Sequence, residues 1–142
     1  MRKILTALSF FLITACSTPY QNSGFLGGYD EIQLADNIFQ VTFKGNGYTS
    51  AQRAIDFTLL RSAEIAMENG YKYFVINDAQ SRTKTSLQTI PGSMYVEPSI
   101  STVSKPSTSN TITLINEPTE WMTAFEAEIT AQSIRNKYGL SR

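Results

Sequence analysis

Between Ile38 and Asn69 the spacing of apolar side chains changes once, from a period of two to a period near four, and that switch limits the folds open to the chain. Ile38 to Lys44 alternates, with Phe39, Val41 and Phe43 on one face. Just before it, Ile32 and Leu34 alternate with Glu31 and Gln33, and Ala35-Asp36-Asn37 supplies turn chemistry. The two runs predict an antiparallel hairpin with one buried face. After "KGNGYTS", Thr49-x-x-Gln52 fits a capping box, so a helix is expected from about Ser50 to Asn69, with Gly70 as its stop. Ile55, Leu59, Leu60, Ala63, Ala66 and Met67 make its apolar arc, and Arg53, Arg61, Glu64 and Glu68 fall opposite. Such a helix covers the apolar face of the sheet.

The second half of the chain extends this plan. "YKYFVIN", Tyr71 to Asn77, is a near-continuous apolar run that predicts a central strand buried on both sides. Leu87 to Val96 reads as a further strand interrupted by Pro91-Gly92. Ser99 to Thr113 holds nine Ser or Thr among its 15 residues, which predicts a mobile hairpin tip in its middle, with Thr111 to Asn116 returning as a strand. A second helix is expected from near Pro118 to about Tyr138, stopped by Gly139. Met122, Phe125 and Ile129 would be its apolar stripe, and Trp121 would anchor one edge. The expected class is α+β: a small antiparallel sheet of about four to five strands with two helices packed against it.

The side-chain chemistry is narrow. Histidine is absent, which removes the commonest general base and metal ligand. The single cysteine rules out an internal disulfide and makes no zinc cluster. The 12 basic and 12 acidic side chains balance, so composition carries no nucleic-acid footprint. No metal, cofactor or nucleic-acid partner is expected.

That cysteine stands in "LITACSTP". Met1-Arg2-Lys3 gives a charged head, and Ile4 to Ala15 is an apolar run of 12 residues. This is the pattern of a secretory signal, too short to span a hydrocarbon core of ~30 Å. Ile13-Thr14-Ala15-Cys16 resembles the bacterial lipobox, which implies a diacylglyceryl group on the Cys16 thiol and cleavage just before it. Residues 1–15 are then a lipoprotein signal peptide. Ser17 stands where an aspartate would resemble the inner-membrane retention signal, so the outer membrane is the expected destination. Loss of Arg2 and Lys3 leaves ten basic against twelve acidic side chains, a formal −2, and the acyl anchor must supply the attachment. Residues 16–28, including "STPYQNSGFLGG", read as a lipidated tether that would span on the order of 20 Å as a flexible coil. Residues 29–142 make the periplasmic domain.

Few residues in that domain invite chemistry. Gly45, Asn46, Gly47, Tyr48 and Thr49 lie between strand and helix, where exposed N–H groups attract anions. The lysine and hydroxyl of a phosphate-binding loop are missing, and a two-glycine corner serves as readily where φ must be positive. On a 100° wheel Asp56 falls among Leu60, Ala63 and Met67, inside the apolar arc. One reading is a general base or ligand carboxylate with raised pKa; the favoured one is a structural acceptor of backbone N–H groups from the Gly45 corner or the tether, with Arg61 as another partner. Tyr71, Tyr73, Tyr95, Trp121 and Tyr138 are candidates for an aromatic surface. A serine–lysine dyad on Lys84 or Lys105 would need a pocket that the Ser/Thr tract does not promise.

Gly27 to Glu64 resembles a family of small, uncharacterised bacterial envelope lipoproteins. The shared features are a glycine-tyrosine opening, the "GNGYTS" corner at Gly45 to Ser50, and an A-x-D-F-x-L-L-R-x-A-E helix run from Ala54 to Glu64. "GYKYFVI", Gly70 to Ile76, continues it. The resemblance implies a lipid anchor and an envelope location, and it carries no activity.

The expected function is that of a non-catalytic, outer-membrane-anchored lipoprotein whose domain meets an envelope protein through a sheet edge and the hydroxyl-rich hairpin. The alternative is a module for a small anionic or peptidoglycan-derived ligand at Gly45 to Thr49, and a remoter one is a hydrolase using Asp56. The anchor is directly testable. In cells fed labelled palmitate, wild type should carry label, whereas Cys16→Ala should carry none and keep its leader. Unlabelled wild type would refute the assignment.

Overall fold

The computed structural model describes residues 17–141, so Cys16 and the leader lie outside it. A five-stranded, fully antiparallel sheet and two helices make an α+β fold. In chain order these are β1 (Gly28–Ala35), β2 (Ile38–Lys44), α1 (Ala51–Glu68), β3 (Tyr73–Ile90), β4 (Ser99–Ile115), β5 (Ala124–Glu126) and α2 (Ala127–Tyr138). The strand order is β1-β2-β4-β3-β5.

The hairpin forms as its pattern requires, with Phe39, Val41 and Phe43 of β2 buried beneath α1. Ile32 and Leu34 of β1 do not join them; they are 57% and 56% exposed. Register explains this. Tyr29 and Glu31 lie opposite Phe43 and Val41, so they take the helix side of the sheet, and Glu31 reaches Arg61 there at 2.7 Å.

The central strand is β4, not the "YKYFVIN" run. In β3 only Phe74 is fully buried, because β5 flanks just Tyr73 to Val75. The Ser/Thr tract is ordered throughout as β4. Its second half lies between β2 and β3, with Thr108, Asn110, Ile112 and Leu114 on the core face. Thr pairs well on a pleated surface, and the alternation Thr108, Asn110, Ile112, Leu114 was the strand signal that composition masked.

Beyond the sheet, β3 and β4 continue as a ribbon. Thr83 to Ile90 pairs with Ser99 to Pro106, and among the described residues no further strand joins either edge there; the Gly45 N–H donates to the Pro106 carbonyl and Gly47 lies against Val103. Eight residues carry the ribbon roughly 26 Å past the last β2 pair. Pro106, with no N–H to offer, sits where β2 ends.

Helix α1 starts one residue later than a Thr49 cap would put it. Ser50 is the N-cap, accepting from the Arg53 N–H at 3.1 Å, because the Thr49 hydroxyl is engaged elsewhere. Ala54, Phe57, Leu60, Ala63 and Ala66 are buried, whereas Met67 is exposed. Buried Thr58 and Ser62 return their hydroxyls to the carbonyls of Ala54 and Thr58 within the helix. Helix α2 begins at Ala127, not near Pro118. Phe125 stacks on Phe74 at 5.4 Å and draws its segment into β5, which leaves Trp121 and Met122 exposed in the preceding loop. Ile129 is exposed too; Ala127, Ala131 and Ile134 turn inward, and the helix ends at Gly139 in the left-handed region.

Residues 17–28 of the expected tether are part of the domain, while residue 16 lies outside the described residues. Thr18 is fully buried, Tyr20 packs on Tyr29 and Phe57, and Gly27 and Gly28 bring the chain so close to Lys44 and Gln21 that a Cβ would strike a backbone oxygen at 2.2 and 2.4 Å. These glycines serve close approach rather than looseness. Phe25, at the tip of the turn, is 104% exposed instead of docked. Thr18→Val keeps the volume and removes the hydroxyl, so it should lower unfolding stability by about 2 kcal/mol. It should also speed proteolysis of the first ten residues of the domain. Unchanged denaturant unfolding would sink the claim that this segment is structural.

Candidate functional site

The Gly45 corner is filled by the chain itself. The Thr18 hydroxyl accepts from the Asn46 N–H at 2.8 Å and donates to the Leu26 carbonyl at 2.9 Å. The Thr49 hydroxyl accepts from the Thr18 N–H at 3.0 Å, and its oxygen lies 3.0 Å from both the Thr18 hydroxyl oxygen and Asn46 Oδ1, so its single proton serves one of them at a time. Asn46 Oδ1 also accepts from the Tyr48 N–H at 2.9 Å, while the Tyr48 ring is exposed. Two threonine hydroxyls thus occupy the place that an anion would take at such a corner. Neither Gly45 nor Gly47 has positive φ. Gly45 is required for space: a Cβ there would meet the Thr49 side chain at 2.7 Å.

Asp56 lies where the helical wheel put it, 7% exposed, but its partners are different from those expected. It accepts from Lys137 Nζ at 2.6 Å, Tyr138 Oη at 2.7 Å and Gln52 Nε2 at 2.8 Å, and from neither a backbone N–H nor Arg61. Burial pushes the carboxyl up, yet the hydrogen bonds from Lys137, Tyr138 and Gln52 outweigh it and hold the group below its ordinary value. A raised general base is therefore not what this site makes. The Asp56 hydrogen bond lifts Lys137, and burial lifts the Tyr138 phenol.

Arg61 turns toward a different set of partners. It pairs with Glu31 at 2.7 Å, Glu68 at 2.9 Å and Glu64 at 3.3 Å, and Glu64 also binds Arg135 at 2.5 Å and the Tyr20 hydroxyl. The guanidinium lies 4.9 Å from the Tyr29 ring centre. Burial alone would lower its pKa; the carboxylates more than reverse that, and Arg61 stays charged. Burial and Glu64 push the Tyr20 phenol up. An open cleft of about 390 Å³ lies beside this network. Every charged group in the network is already matched, so it works as a clamp joining β1, α1, α2 and the N-terminal segment.

The aromatic candidates do not form one surface. Tyr138 packs edge-on to Phe57 at 4.9 Å, Tyr95 stands at the ribbon tip, and Trp121 lies beside β5, near the opposite end of β3. Lys84 and Lys105 do come together, directly opposite each other across the ribbon. Among the described residues no cluster of acidic or cysteine side chains could hold a metal, and no helix is long and apolar enough to cross a membrane. The chain matches no family model, no curated protein and no solved structure.

Sequence reasoning missed Thr18, Tyr20 and the Arg61 network, whose partners come from distant segments. The ribbon carried a usable signal: a turn centred on Met94–Tyr95 places Lys84 opposite Lys105 and Arg82 opposite Ser107.

The Asp56 contacts set a pH dependence. Because its folded pKa is depressed, its contribution is complete above the unfolded value of about 3.9 and is lost as pH falls through the folded one. Lys137 acts in the opposite sense, losing its contribution as pH rises above about 10. Asp56→Asn should lower stability at pH 7 by about 1–2 kcal/mol, the low end because Lys137 is half exposed. The variant's acid unfolding below about pH 4 should be correspondingly shallower. A melting temperature equal to wild type at pH 7 would remove Asp56 from the structural account.

Proposed function

We propose that this chain is a non-catalytic lipoprotein, held by an acylated Cys16 at the periplasmic face of the outer membrane, whose domain offers its β3–β4 ribbon to an envelope protein. The observation that carries the reading is the ribbon itself. It leaves the folded core, exposes both outer edges, and ends in an apolar tip where Met94, Tyr95 and Ile100 are 90%, 92% and 72% exposed. A two-stranded ribbon is marginal on its own, so one this long gains from a partner. Free edges accept an added strand through main-chain hydrogen bonds, and the tip supplies apolar anchors.

The chemistry of the interior supports a binding role over a catalytic one. Asp56 is saturated with donors and held ionised, and the Gly45 corner is taken by Thr18 and Thr49. Neither leaves an acid, base or nucleophile facing open space. The lipobox pattern and Ser17 support the location.

A photo-crosslinking residue placed at Tyr95 or Ile100 in the full chain, expressed at native level, should give a discrete protein adduct. The same probe at Glu128, exposed on α2, should give none. Met94→Asp with Ile100→Asp should abolish adducts from the Tyr95 probe without changing the melting temperature. Absence of any adduct from either ribbon position would overturn the proposal.

A further inference from the structure

We infer that the cleft between the Phe25 turn and the root of the ribbon is a headgroup site for anionic phospholipid of the membrane that holds the chain, with Phe25 and Leu26 entering the bilayer beside it. The register creates the site. Lys44, Ser107 and Arg82 are aligned across three strands, and Lys105 and Lys84 are aligned two residues further along. Residues opposite one another, and those two apart, share a face of a sheet. All four cations therefore stand on the face away from the helices, since Phe43 and Thr108 occupy the other. With Phe25 and Gly27 they line a cleft of about 380 Å³.

Three features make this more than a charged surface. The ion pairs among the described residues are made by other side chains, so nothing there neutralises these four. Asp30 and Asp78 share the face but belong to ranks outside the cleft, opposite Thr42 and Thr111. Lys84 directly faces Lys105, an arrangement that destabilises a strand pair unless an anion lies between the two. The phosphate of a lipid headgroup has the required charge and acceptor oxygens. A free phosphate shares that chemistry, but the apolar rim favours the lipid: Phe25 and Leu26 are 104% and 55% exposed, and side chains of this kind enter the boundary below the headgroups.

Position agrees with charge. Thr18 bonds the Leu26 carbonyl, and a Cβ at Gly27 would touch both Thr18 and the Lys44 oxygen. Residue 16 is two peptide units from Thr18 and so no more than ~7 Å away. This part of the inference rests on the reading of Cys16 as the anchor; the cleft does not. An acyl group together with a basic patch is the pairing that turns marginal membrane binding into stable attachment.

The experiment separates the two. Purified full-length mature protein carrying Phe25→Trp and Trp121→Phe is mixed with vesicles of brominated phosphatidylcholine, with or without phosphatidylglycerol, while mass spectrometry independently reports acylation at residue 16. Whether or not an acyl group is found, Trp fluorescence should be quenched when phosphatidylglycerol is present. Lys84→Gln with Lys105→Gln should weaken the phosphatidylglycerol-dependent contact by roughly 30-fold, with the melting temperature held or raised. A folded protein whose residue 25 is unquenched in anionic vesicles overturns the inference even if it is acylated. Saturation of the cleft by millimolar inorganic phosphate, without phosphatidylglycerol-dependent quenching, would assign it to a soluble anion and overturn it equally.

Discussion

The Phe57 ring is fully enclosed where three parts of the chain meet. It lies edge-on to Phe43 of the sheet at 5.2 Å, to Tyr20 of the N-terminal segment at 5.3 Å and to Tyr138 of α2 at 4.9 Å. Edge-to-face pairs of this kind add to what burial alone contributes. Their wider effect is to enclose α1, with the sheet on one side and α2 and the N-terminal segment on the other. Nine of its 18 residues are buried, more than one face can account for. Burying polar groups on an enclosed helix is costly unless they are paired. Here they are, apart from Arg53 Nε, which lacks a hydrogen-bond partner among the described residues while its guanidinium lies over the Phe57 and Tyr138 rings. Thr58 and Ser62 find partners within the helix, Asp56 reaches α2, and Arg61 and Glu64 spread across β1, α2 and Tyr20. The clamp and the Asp56 contacts are consequences of the enclosure.

One wall of that enclosure is the segment that composition describes as a leash. Its Ser, Gly, Asn and Pro content would suit a coil, yet Thr18 is locked to Thr49 and Asn46, and Tyr20 lies against Phe57. Any anchor at residue 16 would then hold the domain close to the surface rather than on the order of 20 Å above it. Such an attachment would limit tumbling and restrict which face could meet the lipid. The fold itself puts the ribbon root, the Phe25 turn and the Gly45 corner at the same end of the sheet, since Gly45 bonds Pro106, Gly47 stands against Val103 and Gly27 abuts Lys44.

The strongly periodic elements were legible. Phe39, Val41 and Phe43 gave the buried face of β2, the Ala54 to Ala66 run gave α1, and Gly70 and Gly139 gave both stops at positive φ. The α+β class followed from them. What failed had a common cause: partners distant in sequence overrode local composition. Tyr29 and Glu31 took the inner face of β1 because Arg61 lies there, displacing Ile32 and Leu34. Phe125 went into a strand to meet Phe74. The Ser/Thr tract became the central strand because β2 and β3 flank it, although serine and threonine in bulk suggest a loop. At the candidate sites, the burial of Asp56 was readable from the wheel, but Lys137 and Tyr138, some eighty residues away, were not.

Cations on the ribbon have a simpler use, and it must be weighed. Exposed strand edges invite pairing with other chains, and lysines placed along them discourage it. Arg82, Lys84 and Lys105 would serve that purpose on any solvent-exposed ribbon. Edge protection, however, asks only that charge be spread along the strands. It gives no reason for two lysines to face each other directly, or for Lys44 of a third strand to join them in one cleft. Nor does it account for Phe25 on the rim, projecting fully into solvent from a turn that Thr18 holds in place. A surface evolved only to stay apart from other molecules would not gather its apolar ring and its unneutralised charges at the same edge. A surface evolved to meet anionic headgroups over an apolar interior would.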